Sequence, residues 1–185
     1  MAEFPDHPFW DFSLRVYMSK GVGGACLELQ EAHELDVNIL LFCQWLGASG
    51  RGALTETDMK TVKAAVDAWH EDIVRALRAI RTRMKNDMDP APPALAESLR
   101  QRIQKTEIDC EHTEQLMLAA SVEMRVDEKR LEVDRLADAL ANLSKYFDLI
   151  GSRMSLRDHE NLEVMLRVAF PEQTSDSIKT AFLIM

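Results

Sequence analysis

The stretch TETDMKTVKAAVDAWHEDIVRALRAI, residues 55–80, decides the fold class of this protein. Thr55 and Asp58 form the pattern of a helix-capping box, with Asp in place of the usual Glu. Apolar side chains then recur at steps of three and four residues: Met59, Val62, Val66, Trp69, Ile73, Ala76 and Ile80. This spacing places them on one side of a helix, in the pattern of a heptad seam. The stretch therefore predicts a long amphipathic helix.

A second long helix should run back along the first. The segment NDMDPAPP, residues 86–93, ends the first helix because proline cannot continue it. The same spacing then resumes at Leu99, Ile103, Thr106, Cys110, Thr113, Met117, Ala120 and Met124. The two stripes predict a long antiparallel hairpin with its turn near residue 89 or 90.

The N-terminal third predicts a cluster of shorter helices. Pro8 stands where a first helical residue is favoured, and Gly21 where a helix ends. Asp36 is a suitable N-cap for the run VNILLFCQWL, residues 37–46, which is apolar on all sides and predicts a buried helix.

The C-terminal third predicts a helical extension. Its apolar stripe is out of phase with the preceding one and comprises Leu136, Leu140, Leu143, Phe147 and Ile150. Either a turn near VDEKR, residues 126–130, or a continuous helix with a shifted phase explains this change. Ser155 and Asp158 form a second capping-box pattern, which predicts a further helix.

Composition agrees with an all-α fold. Of 185 residues, 46% are hydrophobic and 29% charged, while only 7 are Gly and 6 are Pro. These values exclude a disordered chain and give little support to a β-sandwich, a β-barrel or a Gly-rich nucleotide-binding fold. We predict an N-terminal helical domain over residues 1–125 and a helical extension over residues 126–185, packed on that domain or used for association.

One segment of this acidic chain is basic. The net charge is −9, yet residues 60–85 contain seven basic and three acidic side chains. In heptad positions Arg75, Arg78, Arg81 and Lys85 project away from the seam. We predict that these four residues bind a partner protein, itself acidic, although a solvated helix face gives the same pattern. Nucleic acid is a poorer candidate because phosphate binding needs more clustered cations.

Cysteine usage and hydropathy indicate the compartment. Cys26, Cys43 and Cys110 are an odd number without a CxxC pair, as expected of reduced thiols. The N-terminus has no signal-peptide pattern, and the longest apolar run is about half of the roughly 20 residues of a membrane span. We therefore expect a cytoplasmic protein that does not enter the membrane.

Two Asp-x-x-His pairs resemble the ligand pairs of helical metal centres, Asp67 with His70 and Asp109 with His112. A hairpin turn near residue 89 puts the pairs level, but their heptad positions put them on opposite flanks. Solvated helix pairs are the simpler interpretation, so we assign no metal ligand.

The cysteines and a nearby histidine form another candidate group. Cys26 and His33 share a helix face, and Cys43 of the next helix could approach them for zinc binding or for Cys–His catalysis. Apolar surroundings favour inert core thiols instead. We therefore expect no catalytic residue and no cofactor.

Three blocks resemble a small, uncharacterised proteobacterial family, a domain of unknown function. Its marks are FWxFSxxVY, ACLxLQ and DVNxLLFCxW within residues 9–46, followed by residues 68–85 and 99–118. The resemblance covers about residues 9–118. It implies a bacterial helical protein and provides no activity, cofactor or catalytic residue to carry over.

Together these observations favour a cytoplasmic adaptor that binds another protein and catalyses no reaction itself. A homodimer formed through the helical stripes is a further possibility. The alternative is a small metal- or cofactor-dependent enzyme that uses Cys/His or Asp/His groups between helices.

Overall fold

The computed structural model describes residues 4–86 and 88–184, and these residues form an all-helical structure without strands. This confirms the predicted fold class. The helices are α1 Pro8–Tyr17, α2 Val22–His33, α3 Val37–Ala48, α4 Glu56–Trp69, α5 Ala76–Arg83, α6 Pro93–Ser121, α7 Glu132–Leu149, α8 Leu156–Ala169 and α9 Ser175–Ile184. A π-helical segment, His70–Arg75, joins α4 to α5 without a break.

Helix α3 lies at the centre of the molecule. Ten of its 12 residues are buried, from Asn38 to Gly47, as the all-round apolar sequence predicts. Asp36 caps its first turn, and its side chain accepts a hydrogen bond of 2.7 Å from the backbone N–H of Asn38. The cap at Asp36 is therefore confirmed.

The predicted first helix of the hairpin begins where expected. Thr55 and Asp58 form a complete capping box before Glu56. The helix then departs from regular α geometry in the π-helical segment. A π-type turn accommodates one additional residue, which rotates the following side chains by about 100° around the axis. A heptad assignment made for a regular helix is therefore wrong beyond His70.

That rotation changes the direction of two predicted surface cations. Arg78 and Arg81, expected to point away from the seam, instead contact α6 and form ion pairs with Glu107. Arg78 also pairs with Glu111, at 2.6 Å. These pairs join the two helices of the hairpin.

The hairpin becomes less buried towards its turn. Near its base, the indole N–H of Trp69 donates a 3.0 Å hydrogen bond to the carbonyl of Cys110. Near the turn, α5 has no buried residue, and Leu99 of α6 is half exposed. Residue 87, within the turn, lies outside the described residues. The hairpin thus projects from the core.

The chain breaks between the hairpin and the C-terminal region. Helix α6 ends at Ser121 and α7 begins at Glu132, so the phase change reflects a turn and not one continuous helix. Helix α7 packs on α3, α8 packs on α2, and α9 packs on α8. Core residues come from both sides of residue 125, from Phe9 to Phe182. The domain boundary itself stays a prediction.

No helix in the described part of the chain is both long and apolar enough to span a bilayer. Residues 1–3, which belong to the segment where we expect no signal peptide, lie outside the described residues.

Candidate functional site

Three buried ionisable side chains converge between the α2–α3 connection, the π-helical segment and α6. They are Asp36, His70 and Glu114, with exposed fractions of 6%, 8% and 0%. Each offers one ligand atom, and these atoms lie within 4.8 Å of one another. No other group of three His, Cys, Asp or Glu side chains among the described residues has this arrangement.

The two carboxylate oxygens of Asp36 have different surroundings. Its Oδ1 caps α3, whereas its Oδ2 is buried without a hydrogen-bond partner. Oδ2 lies 3.3 Å from Nδ1 of His70, close enough for an ion pair but outside hydrogen-bond geometry. Buried carboxylate oxygens are normally satisfied, so Oδ2 requires either a proton shared with Glu114 or a bound cation.

The two carboxylate oxygens of Glu114 also have different surroundings. Its Oε2 accepts a 2.9 Å hydrogen bond from the side-chain amide of Asn38, and its Oε1 lies 3.0 Å from Nδ1 of His70. Asn38 is held in turn by Gln115, whose amide donates to its carbonyl oxygen at 2.8 Å. One oxygen of each carboxylate is thus anchored, and the other faces His70.

The electrostatics of this cluster oppose two free carboxylates. Burial, followed by the negative charge of Glu114, raises the pKa of Asp36 well above its usual range. The cluster must therefore hold a proton, or another cation, between its acidic groups. A divalent ion bound to two carboxylates and a neutral imidazole would leave the group without net charge.

The π-helical segment carries His70 to the boundary between core and solvent. Isolated π-type turns are frequent at functional sites. His70 lies in the wall of a groove of about 410 Å³. The groove is also lined by Gln30, Glu31, Glu34, Leu35, Arg75, Arg78, Ala79 and Thr82. Of the three cluster residues, His70 is the one that lines this groove, so the cluster borders the groove at His70.

The donor set suits a first-row transition metal. Imidazole favours Zn²⁺ and Fe²⁺, and carboxylates add preference for Mn²⁺. Three protein ligands with further positions free for water are typical of catalytic zinc sites, while structural sites use four.

The predicted partner-binding residues have unequal surroundings. Arg75 is exposed and pairs with Glu71 at 2.7 Å. Arg78 and Arg81 are mostly buried in pairs with α6, and Arg78 also donates to Gln30 at 2.6 Å. Lys85 is exposed and forms no ion pair with any described residue. Their role in partner binding stays a prediction.

The structure does not bring the two Asp-x-x-His pairs together in a metal group. Asp67 pairs with Lys63 at 2.6 Å, and His112 stacks on Trp10 with ring centroids 4.1 Å apart. The side chain of His70 pairs with Asp36 and Glu114 instead of Asp67.

The cysteines are not placed for metal binding either. The thiol of Cys26 lies 3.8 Å from the sulfur of Met165, and burial raises its pKa to about 12. Burial also raises the pKa of Cys43. Both thiols therefore stay protonated and inert at neutral pH. His33 instead contacts Ser152 and Asp158.

Sequence reasoning missed this cluster because its members come from three separate elements. Asp36 was identified only as a helix cap, and His70 only beside Asp67. The usable signal was Asn38, a polar residue at the start of an otherwise apolar helix, since a buried amide needs polar partners.

Comparison with known protein families gives a match over the N-terminal part of the chain. Residues 8–118 match the family described as "Protein of unknown function (DUF2390)". This is more than half of the chain and contains all three members of the cluster. No curated protein and no solved structure matches the chain.

Proposed function

The chain belongs to the DUF2390 family of proteins of unknown function, and we propose that it binds one divalent transition-metal ion between Asp36, His70 and Glu114. One observation carries the proposal: Oδ2 of Asp36 is buried without a hydrogen-bond partner, and it lies within 4.8 Å of the ligand atoms of His70 and Glu114, which contact each other. A metal ion supplies the partner that this oxygen lacks.

The anchoring of the other oxygens supports this proposal. The N-terminus of α3 and the amide of Asn38 hold the two carboxylates in place before any ion arrives. Outer hydrogen bonds of this kind orient metal ligands and tune their affinity. The cluster needs only small side-chain shifts, because its closest ligand atoms, on His70 and Glu114, are 3.0 Å apart.

The bound ion keeps coordination positions for water or a small ligand that enters through the groove. The alternative interpretation of the sequence is a metal-dependent enzyme with Asp/His groups. The proposed site is of that type, but its ligands are Asp36, His70 and Glu114. A metal ion in such a position acts as a Lewis acid or activates a bound water.

The test measures metal binding by the full chain after chelation and desalting. Isothermal titration with Zn²⁺ should give one ion per chain, and a cobalt(II) spectrum should report the ligand set. At 100 times the dissociation constant, binding stabilises the folded state by about 2.7 kcal/mol. For a chain of this size we expect a rise in melting temperature of about 5–10 °C.

The decisive variant is Asp36→Asn, because Asn caps a helix as well as Asp and so preserves α3. It should fold and lose metal binding by at least 100-fold. The matched control is Asp67→Asn, on the helix that leads into His70, which should bind as the wild type does. Absence of a saturable metal site in the folded wild-type protein overturns the proposal, as does unchanged binding by Asp36→Asn.

The adaptor function is a second candidate, favoured by the charge of the hairpin. Residues 78–105 contain seven basic and three acidic side chains, while the rest of the chain contains 15 basic and 28 acidic. Arg78 and Arg81 pair with α6, and Arg100 pairs with Glu97. The cations of this segment that form no ion pair with a described residue are Arg83, Lys85, Arg102 and Lys105, and all four are exposed. An acidic protein is the partner that this surface would attract.

Separate variants test the adaptor function. Reversing Lys85, Arg102 and Lys105 to Glu should abolish binding to an acidic partner and leave the melting temperature unchanged. Retained capture of that partner would refute the assignment. We place the protein in the bacterial cytoplasm, on the strength of its three free cysteines. Sedimentation analysis tests the proposed homodimer.

A further inference from the structure

A Ser–His–Asp chain of side chains lies at the C-terminal end of α2, and two of its members, His33 and Asp158, line a second groove. Oγ of Ser152 lies 2.6 Å from Nδ1 of His33, and Oδ1 of Asp158 lies 2.9 Å from Nε2 of the same ring. From this geometry we propose that Ser152 is an activated nucleophile that reacts with small carboxylic esters, with His33 as its base and Asp158 as the residue that orients the base.

The local backbone conformation explains how His33 and Ser152 are placed. His33 is the last residue of α2, after which Glu34 takes a left-handed conformation and turns the chain away. Gly151, with φ +69°, permits the turn after α7, and the N–H of Ser152 closes that turn on the carbonyl of Phe147 at 2.9 Å. Ser152 is therefore held by the backbone and not on a mobile loop.

Asp158 is held by the capping box of α8. Its Oδ2 accepts hydrogen bonds from the backbone and hydroxyl of Ser155, both at 2.7 Å, and leaves Oδ1 for His33. Burial acts to raise the pKa of Asp158, but these hydrogen bonds and the contact with His33 outweigh it and lower that pKa. Nε2 of His33 is within ion-pair distance of this carboxylate but outside hydrogen-bond geometry. A carboxylate at that position favours the tautomer with its proton on Nε2, which leaves the Nδ1 lone pair for the hydroxyl of Ser152.

Ser152, His33 and Asp158 follow one another in the order that a nucleophilic site needs: hydroxyl, base and the group that holds the base. A hydroxyl is a weak nucleophile until a base within hydrogen-bond reach removes its proton, and a third group must hold that base. The same arrangement can simply tie α2 to the α7–α8 connection. Access separates the two roles: Ser152 is partly exposed, and His33 and Asp158 line a groove of about 480 Å³ together with Arg153, Ser155 and Asn161.

The proposed reaction needs only water as a co-reactant. Oγ of Ser152 forms a bond to the ester carbonyl carbon while its proton passes to Nδ1 of His33. The bond from that carbon to the alcohol oxygen breaks, and the departing alcohol takes the proton. Water, deprotonated by the same nitrogen, then releases the acid and restores the hydroxyl of Ser152. The metal cluster takes no part, so this inference goes beyond the proposed function.

The test uses the full-length protein with a fluorophosphonate probe, followed by intact mass and peptide mapping. We expect one adduct per chain, on Ser152, and hydrolysis of p-nitrophenyl acetate above the buffer rate. Ser152→Ala should remove both signals. His33→Gln should slow them by about 100-fold or more, the usual contribution of a positioned base.

The control variant is Ser19→Ala, which removes a hydroxyl bonded only to the carbonyl of Arg15 in its own turn. It should label as the wild type does. A folded wild-type protein that forms no adduct overturns the proposal, and so does labelling spread over other residues. Peptide mapping of the wild type decides the matter even if Ser152→Ala fails to fold.

Discussion

Tyr146 accepts a hydrogen bond from the backbone N–H of Asp36, with 2.8 Å between nitrogen and oxygen. Asp36 lies in the stretch that matches the family, whereas Tyr146 lies on α7, beyond that stretch. Tyr146 is buried, which raises the pKa of its hydroxyl and keeps it protonated. The C-terminal region therefore helps to hold the candidate metal ligand in place.

We expect Tyr146→Phe to leave the N–H of Asp36 buried without an acceptor. The free energy of unfolding should fall by about 1–3 kcal/mol, the usual cost of an unpaired buried donor. Urea denaturation measures the change, and Zn²⁺ titration should show weaker binding. Tyr17→Phe is the control, because Tyr17 is 41% exposed and its hydroxyl bonds no described residue. Equal stability of Tyr146→Phe and the wild type would show that the contact contributes nothing.

The raised pKa of Asp36 predicts how stability depends on pH in the metal-free protein. The folded state binds this proton more tightly than the unfolded state does, so the stabilisation is complete below the unfolded pKa of about 3.9. It is lost as the pH rises through the higher folded pKa of Asp36. An Asn at position 36 cannot titrate. The free energy of unfolding of Asp36→Asn should therefore increase relative to that of the wild type from pH 4 to pH 7.

Urea denaturation at each pH, in the presence of a chelator, measures the difference in free energy of unfolding between Asp36→Asn and the wild type. Ser19→Ala, which removes no ionisable group, should show a constant difference from the wild type over the same range. Zn²⁺ should reverse the trend for the wild type, because the metal replaces the proton and its affinity rises with pH. A flat difference between Asp36→Asn and the wild type would contradict a proton held at this site.

Local chemistry made much of the fold predictable. The caps at Asp36, Thr55 and Ser155 depend on residues within three positions of one another, and all three form as the sequence indicates. The hairpin follows from heptad spacing, which the sequence displays directly. These features need no knowledge of distant parts of the chain.

The candidate site depends on tertiary packing and was not predictable in the same way. The π-helical segment at His70–Arg75 adds a residue to one turn, and no local pattern marks that insertion. It moves Arg78 from the outer face to α6. Asp36 and Glu114 are 78 positions apart, so their convergence follows only from the packing of α6 beside α3.

The ion pairs of the hairpin should matter more for stability than its free cations. Glu107 is 4% exposed and pairs with both Arg78 and Arg81. Glu107→Gln leaves the partly buried guanidinium group of Arg81 without its counter-ion and leaves Arg78 with Glu111 alone. Because these groups keep about a fifth of their exposure, we expect a loss of about 1–3 kcal/mol, less than for a fully buried pair. Thermal denaturation should show a lower melting temperature, whereas Lys85→Ala should leave it unchanged.

The crossing of α3 and α7 gives the last prediction, which rests on a matched pair of helical glycines. A Cβ at Gly47 would lie 2.7 Å from both the backbone nitrogen and the Cβ of Ala139, and it would also clash with the carbonyl of Arg135. Gly47→Ala should therefore push the helices apart and cost about 1–3 kcal/mol, as overpacking does. At Gly24 of α2 nothing lies within 4 Å of an added Cβ. There Ala should stabilise the helix by about 0.5–1 kcal/mol, because Gly loses more backbone entropy on folding. Urea denaturation measures both changes, and a destabilised Gly24→Ala or a tolerated Gly47→Ala would contradict the close approach of α7 to the central helix.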